Sequence, residues 1–187
     1  MFSIGPFHRG RPEFKETEKI KTKYLQSLIS RSPFPEEMLR NLTNSVKDVE
    51  REAREYYGKP IDYTPDEFVK ILLIDGCFIV ELFRKDFYTE LREEDDPIFT
   101  MSCMRQFLFH DLILLENQVP WMVLERLFNF TVDPRHKMPL IELAQDFFGD
   151  FFFQSRVLVT LLSKTSSISS MCFENGWFHQ LRRKEAT

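Results

Sequence analysis

Apolar residues recur at intervals of three and four along most of this chain, and that spacing places side chains on one face of an α-helix. It predicts one amphipathic helix over Glu13–Ser30 and a second over Pro35–Tyr57. Gly58 and Pro60 follow the second, as expected of residues that end helices. The lysines of the first helix are expected to face solvent: Lys15, Lys19, Lys21 and Lys23.

The most apolar predicted helix begins at a strong start signal. Thr64 can cap it, Pro65 suits the first helical position, and Glu67 completes a capping box. From there to Lys85 the apolar residues lie nearly all round the helix. A helix of that kind is expected at the centre of the fold.

The stretch Asp111–Phe130 holds a proline between two apolar runs. A helix opened by Pro97 is predicted to lead into it and to end near Asn117. A new helix is predicted to start at Pro120, which lacks an amide hydrogen, so the corner falls at Val119. A polar trio at this corner is expected to lie away from water and to bond to backbone groups: Glu116, Asn117 and Gln118.

Together these patterns predict an all-α fold, an irregular bundle of about six helices. The chain has only 6 glycines, few for a sheet-rich protein with many tight turns. A loop over Thr131–Pro139 and a short helix over Leu140–Phe153 complete the bundle. The helical domain is expected to span residues 1–162, and the divergent residues 163–187, which open on a serine- and threonine-rich run, are expected to form a disordered tail.

Composition narrows the class of protein. The 187 residues are 43% hydrophobic, enough for one domain with a substantial core, and the 20 phenylalanines predict that this core is aromatic. The net charge of -4 argues against general nucleic-acid binding. The 3 scattered cysteines fit neither a zinc site nor a disulfide framework and indicate reduced cytosolic thiols. With no secretory signal and no apolar run of roughly 18 residues, a location in the cytoplasm or at a membrane surface is expected.

Two charged runs are candidate contact surfaces. The acidic run Glu93–Asp96 is interpreted as a solvated loop, and it also fits a surface for a protein partner. The basic run Arg182–Lys184 follows Trp177 and Phe178. It fits a solvated tail, or a weak contact with anionic lipid.

Candidate catalytic groups do not converge in the sequence. Asp75 and Glu81 are about 1.7 turns apart, so they point to nearly opposite faces of their helix. Each is predicted to bond to backbone groups or to an arginine. Cys77 follows Gly76 with no histidine nearby in the sequence, which fits a small buried apolar residue better than a nucleophile.

Two histidine-containing stretches carry weaker signals. The loop Gly5–Arg9 includes His8 and could bind an anion. His110 and Asp111 could form half of a metal site or a catalytic triad, with Glu116 nearby. The histidines lack the spacing of metal ligands, such as HExxH, so neither a metal nor another cofactor is expected.

Four segments together resemble the plant-specific domain-of-unknown-function family DUF247, the UPF0481 group. They are SIGPFHRG at Ser3–Gly10, EKIKTKYL at Glu18–Leu25, DEFVKILLIDGCFIVELF at Asp66–Phe83 and HDLILLENQVPWMVLERLF at His110–Phe128. Their order and spacing match the family. The motif residues that this resemblance singles out are Gly5, Pro6, His8, Asp75, Gly76, Cys77, Phe78, Glu81, Asp111, Leu115, Glu116, Asn117, Gln118 and Pro120.

The resemblance covers about Ser3–Leu162 and implies a largely helical protein without an established enzymatic activity. It also implies relatives more than twice as long, which often end in one membrane-spanning helix, and some grass relatives implicated in pollen self-incompatibility. Compared with the family pattern, this chain is expected to lack the lead-in before the first segment, the C-terminal half and the terminal apolar helix. That pattern is expected of a truncated gene or an isolated half-domain.

The function predicted from these observations is that of a non-enzymatic protein-interaction module with an unknown protein partner. Charge changes within Glu93–Asp96 are expected to alter its binding. One alternative is a hydrolase or transferase centred on a polar set that the sequence leaves open: Asp75, Cys77, His110, Asp111 and Glu116. Another alternative is a truncated copy without a function.

Overall fold

The structure, a computed structural model, describes residues 2–114 and 116–149. Over this part the chain forms eight α-helices and no strand, which confirms the predicted all-α fold. Their bounds are α1 Lys15–Ser30, α2 Pro35–Lys47, α3 Glu50–Glu55, α4 Pro65–Phe87, α5 Pro97–Thr100, α6 Ser102–Leu112, α7 Trp121–Phe130 and α8 140–149. Short 3-10 turns occupy Pro12–Phe14 and Thr89–Leu91.

Two helices that the sequence predicts as continuous are broken. The helix predicted over Pro35–Tyr57 divides into α2 and α3, because the backbone at Val49 leaves the helical region at φ -117 and ψ 11. The break lets Val49 turn inward, so that only 3% of its surface is exposed. The helix opened by Pro97 likewise divides into α5 and α6 at Met101, an extended residue at φ -100 and ψ 109. Ile98 and Leu108, one on each side of that break, are both fully buried.

α4 starts as predicted. The Thr64 side chain accepts a hydrogen bond from the Glu67 amide, the Glu67 carboxylate accepts one from the Thr64 amide, and Pro65 takes the first helical position. α4 is also the central helix, since it contacts α1, α2 and α7. Its buried positions include Phe68, Leu72, Phe78 and Leu82, none of which has exposed surface.

α4 and α7 approach closely at Gly76. A Cβ atom at this position would lie 2.5 Å from the Leu127 Cδ1 atom, and Leu127 is itself fully buried. Glycine costs about 1 kcal/mol in a helix interior relative to alanine. Here it permits a close helix contact, because a Cβ at this position would force the buried Leu127 side chain to shift.

Gly76→Ala is therefore expected to lower the free energy of unfolding by about 1 kcal/mol. Overpacking against Leu127 costs about 1–3 kcal/mol and outweighs the gain of about 1 kcal/mol in helix propensity. The measurement is urea unfolding followed by circular dichroism. Gly58→Ala is the matched control, because no atom lies within 4 Å of its added Cβ. A Gly76→Ala protein more stable than the parent chain would contradict the close contact.

The core is aromatic, as the phenylalanine content predicts. Phe83 on α4 packs with Phe147 and Phe148 of α8 at centroid distances of 5.1 and 5.8 Å. Phe148 also meets Phe109 of α6 at 5.7 Å. Each buried phenylalanine stabilises the fold by about 1.5–3 kcal/mol through burial alone. Phe151–Phe153 and the predicted tail lie outside the described residues.

Over residues 2–114 and 116–149, no helix combines the length and apolar character required to cross a bilayer.

Candidate functional site: the buried polar cluster at the N-terminal segment

The residues Phe2–Arg9, here called the N-terminal segment, run through the interior of the bundle. The sequence predicts a loop at this position, and no regular helix or strand forms there. Loops usually lie on protein surfaces. In this segment, however, Phe2 and Ile4 are fully buried and Ser3 is only 1% exposed. The sequence does not predict this burial.

Asp75 of α4 lies at the centre of a polar cluster that surrounds this segment. It has no exposed surface. Its carboxylate accepts hydrogen bonds from the Gly5 amide at 2.8 Å and from the Lys21 Nζ atom at 2.5 Å. The Arg9 Nη1 atom lies 3.3 Å away. Asp75 thus bonds to a backbone group and to an arginine, the two kinds of partner that the sequence predicts for it.

Lys21 corrects a prediction. The sequence places it toward solvent, but it is fully buried and bonds to Asp75, to the Ser3 carbonyl at 2.7 Å and to Glu18 at 2.5 Å. Its spacing contained the signal, because Lys21, Tyr24 and Leu28 recur at three and four on one helix face. A buried ammonium group is tolerated only when it is paired and hydrogen-bonded, and this one has two carboxylate partners.

The corner before α7 supplies the far side of the cluster. α6 ends at Leu112, earlier than the predicted end near Asn117, and Pro120 directly precedes α7, which starts at Trp121. Asn117 is 2% exposed, and its side-chain amide bonds to two backbone groups of the N-terminal segment. The Gln118 carbonyl accepts a hydrogen bond from the Tyr57 hydroxyl at 2.9 Å.

The prediction for the polar trio is therefore confirmed for Asn117, which is buried and bonded to backbone. Gln118 is buried as well, at 3% exposure. The prediction is wrong for Glu116, since this residue is exposed. The chain turns at Glu116 and enters the core from Asn117 onward, so only the last two residues of the trio reach the interior. Leu115 lies outside the described residues.

Asp111 closes the cluster at its other end. Its Oδ2 atom accepts a hydrogen bond from the Phe2 amide at 2.5 Å. Burial raises the pKa of the Asp111 carboxyl group, and the bond from Phe2 opposes that rise. Asp111 thus serves the same short segment as Asp75 and Asn117.

A second polar cluster lies at the C-terminal end of α4 and corrects the interpretation of Glu93–Asp96 as a solvated loop. Lys85 is fully buried and pairs with Glu93 and with Asp96, which is 1% exposed. Asp96 also accepts a hydrogen bond from the Tyr24 hydroxyl at 2.8 Å. Buried lysine attracts acidic partners inward, and only Glu94 and Asp95 of this run stay exposed.

Two further buried charged residues of α4, Glu81 and Arg84, have partners within the protein. Glu81 is fully buried and receives a two-bond contact from the Arg31 guanidinium, both at 2.6 Å, so an arginine does bind it. Arg84 donates to the Thr131 hydroxyl at 2.9 Å and stacks over the Phe128 ring. Burial lowers the pKa of Arg84 to about 10.

The five polar residues considered for catalysis differ in burial: some lie in the core and others on the surface. Asp75 and Cys77 have no exposed surface, and burial raises the pKa of the Cys77 thiol. His110 and Glu116 lie exposed on the outside. Asp111 faces the N-terminal segment. The structure does not bring these five groups to one accessible place.

The loop Gly5–Arg9, which the sequence suggests as an anion-binding site, has partners within the protein instead. The Arg9 guanidinium faces two carboxylates, Asp75 and Glu18, the latter at 3.1 Å. A cation paired in this way is not available to an external anion. His8 beside it is half-buried, and its Nδ1 atom is buried without a hydrogen-bond partner.

Comparisons with known proteins agree with the resemblance seen in the sequence. A family model described as DUF247, plant protein of unknown function, matches residues 1–166. The UPF0481 protein At3g47200 of Arabidopsis thaliana is 30% identical over 128 residues, which are 68% of this chain and 26% of that protein. The putative UPF0481 protein At3g02645 of the same plant is 23% identical over 131 residues, which are 70% of this chain and 23% of that protein. This chain thus spans about a quarter of these relatives, and no solved structure matches it significantly.

Proposed function

For this chain, which belongs to DUF247, a family of plant proteins of unknown function, we propose a role as a protein-interaction module that binds its partner through the exposed face of α6. The observation that carries this proposal is the absence of charge on that face. The exposed residues described on α6 are Cys103, Gln106, Phe107 and His110, and none of them is acidic, lysine or arginine.

The spacing of these residues makes the surface continuous. Cys103, Phe107, His110 and Leu114 follow each other at intervals of four, three and four, which places them along one side of the helix and its following turn. Phe107 is 56% exposed, Leu114 is 40% exposed, and Met101 at the start of α6 is 53% exposed. Large apolar side chains therefore lie along the whole length of α6.

The first helix exposes a different kind of surface. In α1, Lys15, Glu16 and Lys19 are exposed, and a charged pair forms between the last two at 2.8 Å. Protein interfaces are depleted of charge at their centre and enriched in aromatic residues and methionine. The α6 face has that composition in a chain of which 29% of the residues are charged.

The partner is expected to be a protein with an apolar surface. A nucleic acid or an anionic membrane needs basic residues at the contact, and the exposed α6 residues supply none. We place the interaction in the cytoplasm or at a membrane surface, where the scattered cysteines would stay reduced.

Phe107→Glu is expected to lower the amount of partner that the purified chain retains from plant extract by at least about tenfold, since it puts a charge in the middle of the apolar face. Its melting temperature is expected to stay within about 2 °C of the parent chain, because the side chain is already exposed. The matched control is Phe34→Glu, which changes a 68% exposed phenylalanine in the connection between α1 and α2.

The control decides how a loss is interpreted. If both variants retain the partner as the parent chain does, or lose it equally, the α6 face is not the contact surface. Charge reversal of Glu94 and Asp95 adds a further arm, because these exposed carboxylates are the part of the acidic run that can face a partner. Binding that depends on them and not on Phe107 would move the interface to the connection before α5.

A further inference from the structure

The N-terminal segment is held in the manner of a bound peptide. Distant side chains bond to its backbone at successive residues. Asp111 accepts from the Phe2 amide at 2.5 Å, and Asp75 accepts from the Gly5 amide at 2.8 Å. Lys21 donates to the Ser3 carbonyl at 2.7 Å. These partners lie on α1, α4 and α6, so three different helices of the bundle contact the segment.

The contact of Asn117 resembles peptide recognition most clearly. Its Nδ2 atom donates to the Phe2 carbonyl at 2.7 Å, and its Oδ1 atom accepts from the Ile4 amide at 2.9 Å. One side-chain amide therefore engages the two backbone groups that flank Ser3. A neighbouring parallel β-strand engages the same two groups with its own peptide units. Contacts of this type recognise an extended peptide backbone whatever its side chains are.

Side chains of the segment alternate between recognised and unrecognised positions. Phe2 and Ile4 are fully buried, and the Phe2 ring stacks on Phe78 at a centroid distance of 5.5 Å and an angle of 10°. The hydroxyl group of Ser3, between them, is buried without a hydrogen-bond partner. The surrounding residues thus select the apolar side chains on each side of Ser3 and leave its hydroxyl group unused.

Gly5 sets a further requirement. Its φ is +74°, and a Cβ atom there would lie 2.8 Å from the Gln118 carbonyl oxygen. Only glycine fits that position without strain. The segment then leaves the interior, and the residues that join it to α1, 10–13, are all exposed. The buried peptide is thus connected to the bundle through a short solvent-facing link that begins with Gly10 at φ +85°.

We propose that Lys21, Asp75, Asp111 and Asn117 form a peptide-binding groove and that the N-terminal segment is its resident ligand. The groove takes an extended peptide with an apolar aromatic residue, a small residue, an apolar aliphatic residue and then glycine. While the resident segment is bound, its effective concentration of about millimolar keeps a competing peptide out. A protein that carries the same pattern can occupy the groove when that segment is released.

The test uses the full chain with Phe2→Ser and Ile4→Ser, which weakens the resident ligand and leaves every groove residue unchanged. The probe is an N-acetylated peptide of the sequence FSIGPFHR with a C-terminal fluorescein, followed by fluorescence anisotropy. Saturable binding is expected, about 100-fold weaker to the parent chain, where the resident segment competes. The same peptide with glycine replaced by alanine is expected to bind at least about tenfold more weakly, and the peptide with Ala in place of serine to bind no less tightly.

Adding Asn117→Ala to the same variant is expected to remove binding. Lack of saturable binding in a variant that keeps its helical circular dichroism would overturn the proposal, and so would equal binding of the glycine and alanine peptides. Should the variant fail to fold, hydrogen exchange on the parent chain decides. The Phe2, Ile4 and Gly5 amides are expected to exchange at least about tenfold faster than the amides of α4, because a ligand can leave while the helices stay formed. Exchange of both sets at one common rate would mean that the segment is an inseparable part of the core.

Discussion

Replacing Asp75 by alanine is expected to lower the free energy of unfolding by about 3–5 kcal/mol. The change leaves the Lys21 ammonium in the interior with less compensating charge. It also removes the acceptor for the Gly5 amide and a partner of Arg9. The measurement is urea unfolding followed by far-ultraviolet circular dichroism, with the slope checked for two-state behaviour.

A double-mutant cycle with Lys21→Met separates the ion pair from simple loss of packing. Methionine can fill the lysine volume without a charge. Asp75→Ala together with Lys21→Met is expected to be less destabilising than the sum of the two single changes by more than about 1 kcal/mol. Strict additivity would show that the two side chains do not depend on each other.

Gly5→Ala is expected to destabilise the protein by about 3 kcal/mol. Positive φ costs a residue with a side chain about 1–2 kcal/mol. Contact with the Gln118 carbonyl oxygen at 2.8 Å adds to this, because that oxygen belongs to a buried backbone and cannot rotate away. The melting temperature and the urea midpoint of the purified variant both report the loss.

Gly10→Ala is the matched control for this substitution. Gly10 also has a positive φ, of +85°, but no atom lies within 4 Å of its added Cβ. Gly10→Ala is expected to lower the free energy of unfolding by about 1–2 kcal/mol, which is the cost of the positive φ alone. The difference between the two variants then measures the close contact with Gln118, and equal losses would show that this contact is soft.

Features set by neighbouring residues could be predicted from the sequence. The start of α4 depends on Thr64, Pro65 and Glu67, which all lie within one turn, and the structure has the predicted capping box. The inward position of Asn117 was predicted from its place between two apolar runs, since a buried polar group must find backbone partners. The same argument fails for the neighbouring Glu116, which is exposed, so the local pattern locates the corner but not which of its residues turns inward.

Features set by distant residues could not be predicted in the same way. The spacing of Lys21 with Tyr24 and Leu28 indicates the buried helix face, but the carboxylate that pairs with its charge there belongs to Asp75, 54 positions away in the chain. The break at Val49 depends on how α2 and α3 pack on other helices rather than on a helix-breaking residue. The path of the N-terminal segment depends on hydrogen bonds to Asp111 and Asn117. The sequence of a short loop with glycine and proline does not predict which distant side chains will bind it.

Synthesis order gives the N-terminal segment a particular role in folding. Its contacts with Asp111 and Asn117 join residues 109, 113 and 115 positions apart. At a translation rate of about 5–20 residues per second, Phe2 and Ile4 wait on the order of ten seconds after their own synthesis for these partners to be made. During that time Phe2 and Ile4 have no core to enter, and the bundle cannot close around them until the corner before α7 has left the ribosome. Contacts of such long range slow folding, so this segment, although it is synthesised before its partners, is among the last parts of the bundle to reach its native position.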